Sequence, residues 1–241
     1  MDFAIDWAAL IKIIGIDIML GGDNAIVIAL ACSALAPEVR SKAIFWGTAG
    51  AIALRSILLF FAGMLLGMSY VKLFAGAYLL YVGYKLLAES DDDESVDSPD
   101  RLWAAIKTII VADFMMSLDN VMAVAGSAQS AGEHSTIYAV GGILLSIPII
   151  IFFSQAIMKA MDRFPVIVWV GAGLLGWVGA EMMITDPVLE GYITRVHMTV
   201  GDYTHFAYKV AGFAAVVFAV MAARHINKRG QLAGQAAHPS N

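Results

Sequence analysis

Long runs of apolar residues, separated by short polar stretches, dominate this chain. A helix needs roughly 20 apolar residues to cross a bilayer, and the runs divide into seven segments of about that length. Internal glycines and Pro148 are compatible with membrane helices, which tolerate both residue types. The predicted spans are 7–31, 43–67, 70–88, 102–126, 136–158, 164–185 and 205–223. The pattern therefore predicts an all-α integral membrane protein with seven transmembrane helices.

The composition supports a membrane protein and excludes several other classes. Of the 241 residues, 60% are hydrophobic and 15% are charged, whereas a soluble domain is about half apolar and a quarter charged. The net charge of -5 comes largely from one acidic run between Glu89 and Asp100. No basic patch indicates nucleic-acid binding. The first residues lack the basic region of a signal peptide, so the first span is expected to stay in the membrane.

The distribution of lysine and arginine predicts the orientation, because cytoplasmic loops carry an excess of these residues. One set of loops contains Arg40, Lys42, Arg101, Lys159, Arg163, Arg224, Lys228 and Arg229. The other set contains only Lys72, Arg195 and the span-edge residue Lys209. We therefore expect the N-terminus outside and the C-terminus, together with the acidic run, in the cytoplasm.

An internal repeat predicts the architecture. The stretches "DIMLGGDNAIVIA" (17–29) and "DFMMSLDNVMAVA" (113–125) share five identities at an offset of 96 residues. The same offset aligns "LLYVGYKLL" (79–87) with "LGWVGAEMM" (175–183). Each repeat has three spans, an odd number, so the second repeat must enter the membrane from the opposite side, as in many transporters.

This repeat divides the chain into four parts. The predicted parts are a first three-helix repeat at 1–88, an acidic cytoplasmic linker at 89–101, a second, inverted repeat at 102–185, and an outer loop, seventh helix and basic cytoplasmic tail at 186–241.

Four aspartates lie near the middle of predicted spans. A central aspartate costs about 2.5–3.5 kcal/mol by insertion scales, so such residues normally face a cavity, a partner or an ion. The alternative is that they are protonated acids, hydrogen-bonded to neighbouring helices. The four are Asp17, Asp23, Asp113 and Asp119, and an asparagine, Asn24 or Asn120, follows the second acid of each motif. Their duplication in both repeats favours an ion site.

The spacing within the motifs indicates where the ligands lie. Asp17 and Asn24 are seven residues apart, so they share a helix face at a separation of about 10 Å along the axis. Asp113 and Asn120 repeat this spacing. In an inverted pair the first acid of each motif lies at the depth of the other motif's Asp-Asn pair. The arrangement suits one shared ion site or two stacked sites.

The donor types restrict the ion. Carboxylate and amide oxygens favour Mg²⁺, Ca²⁺ or Mn²⁺ over copper or zinc. Met19 and Met115 occupy matched positions; as ligands their thioethers would favour a transition metal such as Mn²⁺, and the alternative is ordinary packing. Gly21 and Gly22 offer a point where the first helix can unwind before Asp23.

Other charged or ionisable residues in the spans have separate predicted roles. Arg55 lies at the centre of the second span, where it needs a carboxylate or water, and we expect it to compensate the acids when no ion is bound. Lys85 and Glu181 are repeat-matched, but inversion places them at opposite faces, so they should not pair. His197 and His205 are expected on the outer surface rather than in a metal site.

At the two acidic motifs the sequence resembles the TerC family of integral membrane proteins, named for tellurium resistance. The resemblance implies a bacterial inner-membrane protein and, from related members, a manganese exporter. The positions that match the family's motifs are Asp17, Asp23, Asn24, Asp113, Asp119 and Asn120.

We therefore interpret the chain as a secondary transporter that exports Mn²⁺, with protons as candidate counter-ions. Its expected partners are the lipid bilayer, the transported ion and protons, and no permanently bound cofactor; a homo-oligomer is compatible with the sequence. The alternatives are an exporter of Ca²⁺ or amino acids, and a membrane partner that loads metal onto exported proteins. No nucleophile–base pair, phosphate loop or CxxC motif supports an enzyme.

Overall fold

The protein is a bundle of α-helices in a computed structural model, which describes residues 11–15, 22–66, 68–89, 99–128, 135–201 and 203–237. Within these residues there is a helical stretch at 11–15, eight further helices and no strand. The helices are α1 (Gly22–Ser33), α2 (Pro37–Leu66), α3 (Val71–Glu89), α4 (Pro99–Ala128), α5 (Ser135–Arg163), α6 (Val166–Ile184), α7 (Pro187–Val200) and α8 (Thr204–Ala237). The predicted all-α fold is confirmed.

Several helices are long and apolar enough to cross a membrane. In the described part of the chain there are five such segments, namely Pro37–Leu59, Val71–Ala88, Val140–Arg163, Val166–Ile184 and Thr204–Ile226. Many large apolar side chains, including Phe74, Trp103 and Phe152, are exposed on the bundle, as expected where lipid replaces water. The chain is therefore an integral membrane protein.

The two helices that carry the acidic motifs are not among these five segments. As described, α1 is apolar but only 12 residues long. Helix α4 has 30 residues and carries charged residues along its length. The seven-span count therefore stays a prediction, and its first span lies partly outside the described residues.

Helix α1 occupies the centre of the bundle. It packs against α5, α4, α6 and α2, and most of its residues from Asn24 to Cys32 are buried. Cys32 belongs to the main apolar core, consistent with a small apolar filler. Around this helix, α2 packs along α4, α3 along α6, and α6 also along α8. From Asn24 onward, α1 therefore lies mostly inside the bundle rather than on its lipid-facing surface, whereas Gly22 is exposed and Asp23 is half-buried.

Glycines bring α3 and α6 into close antiparallel contact. A Cβ atom added at Gly179 would lie 2.6 Å from the Gly76 carbonyl oxygen, and one added at Gly83 would lie 2.8 Å from the Ala172 carbonyl oxygen. Gly83 and Gly179 are 96 residues apart, as are Gly76 and Ala172. A shift of 96 residues therefore exchanges these two contacts.

A similar close approach joins α2 to α4. A Cβ atom at Gly47 would lie 2.7 Å from Cδ1 of Ile109, so the glycine allows the isoleucine to lie against the α2 backbone. Ile13, which precedes Ile109 by 96 residues, packs in the same way on Gly142 of α5. Contacts of the same kind therefore occur in both halves of the chain.

The structure differs from the sequence prediction after residue 185. The outer connection was expected to be a loop, but residues Pro187–Val200 form helix α7. Asp186 is its N-cap and Pro187 occupies the first helical turn, a combination that typically begins a helix. The helix is amphipathic and short, so a reading based on membrane-spanning length does not detect it.

Asp186 also joins α7 to the start of α3. Its Oδ1 accepts hydrogen bonds from the backbone N–H groups of Val188 at 2.9 Å and Tyr70 at 3.1 Å, and its Oδ2 accepts one from Leu73 at 3.0 Å. Tyr70 has a left-handed backbone with φ of 72°, a costly conformation for a bulky residue. One buried carboxylate therefore fixes two helix starts and the strained turn between α2 and α3.

We expect Asp186→Asn to lower the stability of the bundle, because an amide has only one accepting oxygen for these N–H groups. Burial raises the pKa of Asp186, but the backbone hydrogen bonds together lower it below the ordinary value of 3.8. Because its pKa is lower in the folded state, the Asp186 carboxylate stabilises the fold at pH values above its pKa in the unfolded state. This stabilisation is lost as pH falls through its pKa in the folded state.

Thermal unfolding in detergent tests this expectation. The difference in melting temperature between wild type and Asp186→Asn should become smaller as pH falls from about 6 to about 3. Glu190→Gln, an exposed acid on the same helix, is the control and should behave as wild type. A difference in melting temperature that does not change with pH would contradict the claim that the ionised carboxylate of Asp186 stabilises the fold.

Candidate functional site

A buried cluster of three polar side chains joins α2 to α4. Arg55 Nη2 lies 2.6 Å from Asp113 Oδ1, and Arg55 Nε donates a hydrogen bond of 2.9 Å to Ser117 Oγ. The Ser117 hydroxyl in turn donates to Asp113 Oδ2 at 3.2 Å. Each of the three side chains therefore contacts the other two.

The local sequence explains why these residues meet. Asp113 and Ser117 are four residues apart on α4, so they lie on one helix face, one turn from each other. Helix α4 runs unbroken through the second acidic motif, so the described structure has no helix break there. Gly47 and Gly50 let α2 approach the Ile109–Ile110 region of α4 closely, which brings the Arg55 side chain within reach of Asp113.

The cluster is shielded from solvent. Arg55 is 3% exposed and Asp113 is 8% exposed, while Ser117 is fully buried. Removing two charges from water is expensive, and their attraction offsets that cost only if the geometry is good and the remaining polar atoms are hydrogen-bonded. The pair with its serine meets this condition, so Asp113 is a compensated carboxylate in this structure.

The first motif contributes Asp23 and Asn24 at the start of α1. Asp23 is half-buried, and its Oδ1 accepts a hydrogen bond of 3.0 Å from the backbone N–H of Asn24. It lies within electrostatic range of both Arg55 and Asp113. Residues of the two motifs therefore belong to one electrostatic neighbourhood, although Asp23 is not in the Arg55 cluster itself.

Two buried polar side chains near this cluster lack hydrogen-bond partners. Asn24 is 2% exposed and Thr48 is 3% exposed. Neither amide atom of Asn24 nor the Thr48 hydroxyl has a partner within the described structure. Buried polar atoms normally have a partner, and an orphan among them needs an explanation such as an unseen water or ion. These atoms are candidate contacts for a bound species.

A small cavity adjoins the cluster. Its polar lining residues are Thr48, Arg55, Asp113 and Ser146, and apolar side chains complete the wall. The free space is about 10 Å³, close to the least that one water molecule needs. Thr48 and Arg55 are seven residues apart, so both face this space from one side of α2. In this conformation the cavity holds at most a single small species.

Several predicted ligands lie outside the described residues. Asp17 and Met19 do so entirely, and for Asp119 the structure describes the α4 backbone only. Asn120 is half-buried, and Met115 packs against the main apolar core. The ligand roles of these five residues therefore stay predictions.

No complete metal site is found within the described part of the chain. There, no three or more histidine, cysteine, aspartate or glutamate residues are grouped so that they could hold a metal ion. Of the four central aspartates, the described side chains are those of Asp23 and Asp113. Of the predicted four-aspartate site, the structure therefore describes only the part around Arg55.

The remaining predicted residues lie away from this site. Glu181 forms an ion pair with Lys209 of α8, a partner that the sequence interpretation missed. His197 and His205 lie beside each other with ring centroids 6.1 Å apart. The two rings meet edge-to-face, His205 is exposed and His197 is half-buried. Their predicted place on the outer surface, rather than in a metal site, stays a prediction.

Two residues of the site were not identified as functional from sequence. Ser117 follows Asp113 by four residues, and Thr48 precedes Arg55 by seven. Both spacings place the residue on the same helix face as a charged side chain at mid-span, a signal that is visible in the sequence. Hydroxyl residues are common in membrane helices, however, so the signal has little weight without the neighbouring helix.

Comparisons with known proteins show that this chain is similar to a family of membrane proteins. The model of the integral membrane protein TerC family matches residues 3–231. "Uncharacterized membrane protein YjbE" of Bacillus subtilis (strain 168) is 43% identical over 80% of this chain and 86% of YjbE. "Uncharacterized membrane protein YkoY" of the same organism is 26% identical, over 74% of this chain and 60% of YkoY.

A more distant relative comes from Escherichia coli (strain K12). "UPF0053 inner membrane protein YoaE" is 23% identical over 90% of this chain, which covers 43% of YoaE. The chain therefore spans less than two thirds of YkoY and YoaE, and most of YjbE. No solved structure matches the chain.

We expect Arg55→Gln and Asp113→Asn, as single variants, each to destabilise the bundle by about 3–5 kcal/mol, because each leaves an uncompensated buried charge. The double variant should recover part of this loss, since neither charge remains. Thermal unfolding of the four proteins in one detergent measures the cycle.

The Arg40–Asp162 pair provides a matched control. It is also an arginine–aspartate contact, at 2.9 Å, but its aspartate is exposed. Exposed pairs contribute about 0–1 kcal/mol, so Asp162→Asn should change stability far less. A double variant in the Arg55 pair that is less stable than both single variants would contradict the charge-compensation account.

Proposed function

Because the chain belongs to the integral membrane protein TerC family, we propose that it is a secondary transporter that exports a divalent metal ion, Mn²⁺ above others. The observation that carries the proposal is the buried Arg55–Asp113–Ser117 cluster beside Asp23 and the partnerless Asn24. Such ionisable residues are expensive in the apolar centre of a membrane protein and mark ion pathways.

In this mechanism Arg55 acts as a stand-in for the transported cation. Asp113 has a low-dielectric environment, where its negative charge needs a positive partner. Arg55 supplies that charge in the described conformation. A divalent ion bound between the motifs would supply it instead and release Arg55. A proton could neutralise the same carboxylate. A carboxylate that binds either a metal ion or a proton would allow the ion to be exported in exchange for protons.

The proposed ligand set extends beyond the described cluster. It comprises Asp17, Asp23, Asn24, Asp113, Asp119 and Asn120, with Met19 and Met115 as additional donors and Thr48 as a new candidate. Oxygen donors suit hard divalent ions, and a thioether among them favours Mn²⁺ over Mg²⁺ and Ca²⁺. The orphaned amide of Asn24 and hydroxyl of Thr48 support ligand positions on α1 and α2.

We further propose that two inverted three-helix repeats move relative to each other in alternating access. In this scheme α1, α2 and α3 correspond to the second half of α4, to α5 and to α6. Exchange of the Gly76–Gly179 and Gly83–Ala172 contacts by a shift of 96 residues supports a pseudo-twofold axis between α3 and α6. The last membrane helix, α8, packs outside this pair on α6.

The proposed location is the bacterial inner membrane, with the N-terminus outside and the C-terminus in the cytoplasm. This orientation rests on the excess of lysine and arginine in one set of connections. Ions would then enter from the end where α2 begins and leave towards α7.

We expect Asp23→Asn and Asp113→Asn to lower Mn²⁺ transport roughly tenfold or more, the scale of losses at metal sites. Asparagine nearly keeps the shape of aspartate but removes its charge. The measurement is Mn²⁺ movement in proteoliposomes with and without a pH gradient, and Asp17→Asn and Asp119→Asn extend the series.

Glu38→Gln is the control, since Glu38 is exposed at the start of α2, and it should transport as wild type does. Normal transport by both motif variants would exclude the shared carboxylate site. Stable Mn²⁺ binding with no movement across the membrane would favour the metal-loading role instead.

The orientation predicts opposite labelling of two exposed positions. In a Cys32→Ser background, Glu190→Cys on α7 should react with an impermeant maleimide added to intact spheroplasts, and Glu38→Cys should react only after lysis. The reverse pattern would invert the topology. Labelling of both from outside would mean that an even number of spans separates them.

A further inference from the structure

Helix α7 lies across one end of the bundle, between the start of α3 and the start of α8. At its N-cap, Asp186 accepts a hydrogen bond from the backbone N–H of Leu73 in the first turn of α3. Roughly three turns further along α7, His197 meets His205 in the first turn of α8. The membrane-crossing segments of α3 and α8 begin at these two places. Helix α7 therefore runs along a membrane surface rather than through the membrane.

One side of α7 packs against the bundle. Ile193 is buried, and Leu189 and Val196 are half-buried. Their spacing of four and three residues places them on one helix face. The bundle therefore covers a narrow apolar face of this amphipathic helix, and the rest of its circumference is open to other contacts.

A second apolar stripe faces away from the bundle. Val188 and Tyr192 are exposed, and Met198 is 73% exposed. Val188, Tyr192 and Arg195 follow one another at spacings of four and three residues, so they share a helix face, and Met198 lies one turn after Arg195. Large apolar side chains grouped on an open face indicate contact with another apolar phase or molecule. This stripe therefore needs an occupant.

The exposed acid of α7 lies on a different edge of the helix. Glu190 and Thr194 are exposed and four residues apart, so they form a polar edge of their own. Since successive residues of an α-helix are about 100° apart, Glu190 lies roughly 160° around the axis from Tyr192. Helix α7 thus presents an apolar side with a cation and a polar side with an acid, an arrangement that suits a helix between lipid and water.

The stripe leads into the lipid-facing surface of α8. Tyr203 is 78% exposed just before α8, and Phe206 is exposed in its first turn. Phe206 belongs to the membrane-crossing segment Thr204–Ile226, where exposed side chains meet lipid. The contact of His197 with His205 holds the end of α7 beside these residues. Tyrosines at the ends of membrane helices are typical of the headgroup level, so lipid is the occupant that the surroundings of the stripe favour.

We propose that α7 is an interfacial helix, whose stripe of Val188, Tyr192 and Met198 inserts into the boundary between the headgroups and the acyl chains of the surrounding bilayer. Arg195 extends from the same stripe to a lipid phosphate, because long basic side chains keep their charge at the headgroup level. Such helices favour anionic lipids. Since Asp186 joins α7 to the start of α3, lipid contact holds this end of the bundle at the membrane surface.

Fluorescence quenching of the full chain in nanodiscs, one copy per disc, tests the proposal. In a Cys32→Ser background, Tyr192→Cys, Met198→Cys and Glu190→Cys each carry an NBD label, and the discs contain phosphatidylcholine brominated on its acyl chains. Brominated lipid should quench the two stripe positions at least about twofold more than Glu190→Cys, since apolar faces of interfacial helices lie about 5–10 Å into the boundary. Aqueous iodide should quench in the reverse order. Phe206→Cys is the lipid-facing control.

The role of Arg195 has a separate readout. With the label at Met198→Cys, bromine is placed either on phosphatidylglycerol or on phosphatidylcholine at equal mole fractions in otherwise identical discs. Brominated phosphatidylglycerol should quench more strongly, Arg195→Gln should remove this preference, and Arg195→Lys should keep part of it. Lys42→Gln, an exposed cation on α2, is the matched control and should leave the preference unchanged.

Thermal unfolding shows whether each labelled variant is folded. Iodide quenching of Tyr192→Cys and Met198→Cys as strong as that of Glu190→Cys would place the stripe in water and overturn the proposal. Protection of both stripe positions from iodide and from brominated lipid would assign the stripe to protein and would equally overturn it. In that case, protection that is lost when discs hold one copy and regained when they hold two would identify the occupant as a second copy of this chain.

Discussion

The contact between Arg55 and Asp113 constrains the rest of this bundle. Two opposite charges meet at 2.6 Å with almost no exposure to solvent, which is only tolerable if the helices that carry them cannot separate. The glycines of α2 that lie against Ile109 and Ile110 permit the close approach that this pairing requires. Packing and electrostatics therefore support each other along the α2–α4 interface, and α1 lies against both of these helices.

The same contact connects stability to function. A buried ion pair is weak support for stability, because apolar residues of similar volume often replace it without loss. Its presence in an otherwise apolar core therefore indicates a use for the charges themselves. Nearby, Asn24 and Thr48 keep buried polar atoms without partners. Under the proposed mechanism, Arg55 compensates Asp113, and the polar atoms of Asn24 and Thr48 are positions that a transported ion would contact.

The hydrophobic pattern predicted the long helices well because their lengths follow the thickness of a membrane. The predicted spans 70–88 and 164–185 correspond to Val71–Glu89 and Val166–Ile184. Helix α2 begins at Pro37 rather than 43, since a helix can continue into polar surroundings where hydropathy gives no signal. Helix α7 was missed because it does not span. The sequence could not identify the carboxylate partner of Arg55, because all four acids lie near mid-span. The rotation of each helix, which the sequence does not give, selects Asp113.

The arginine cluster breaks the symmetry between the two halves of the sequence. The residue 96 positions after Arg55 is Ile151, and the residue 96 positions before Ser117 is Gly21. Asp17 and Asp113 occupy matched positions in the two motifs. Asp113 has an arginine and a serine as neighbours, whereas the matched positions for Asp17 hold an isoleucine and a glycine. An ion that binds between the motifs would meet a compensated carboxylate from the second motif and unsatisfied polar atoms from α1 and α2. Under the proposed mechanism, binding would displace Arg55 from Asp113, and the space for that movement would open between α2 and α4, where the α2 glycines allow close packing.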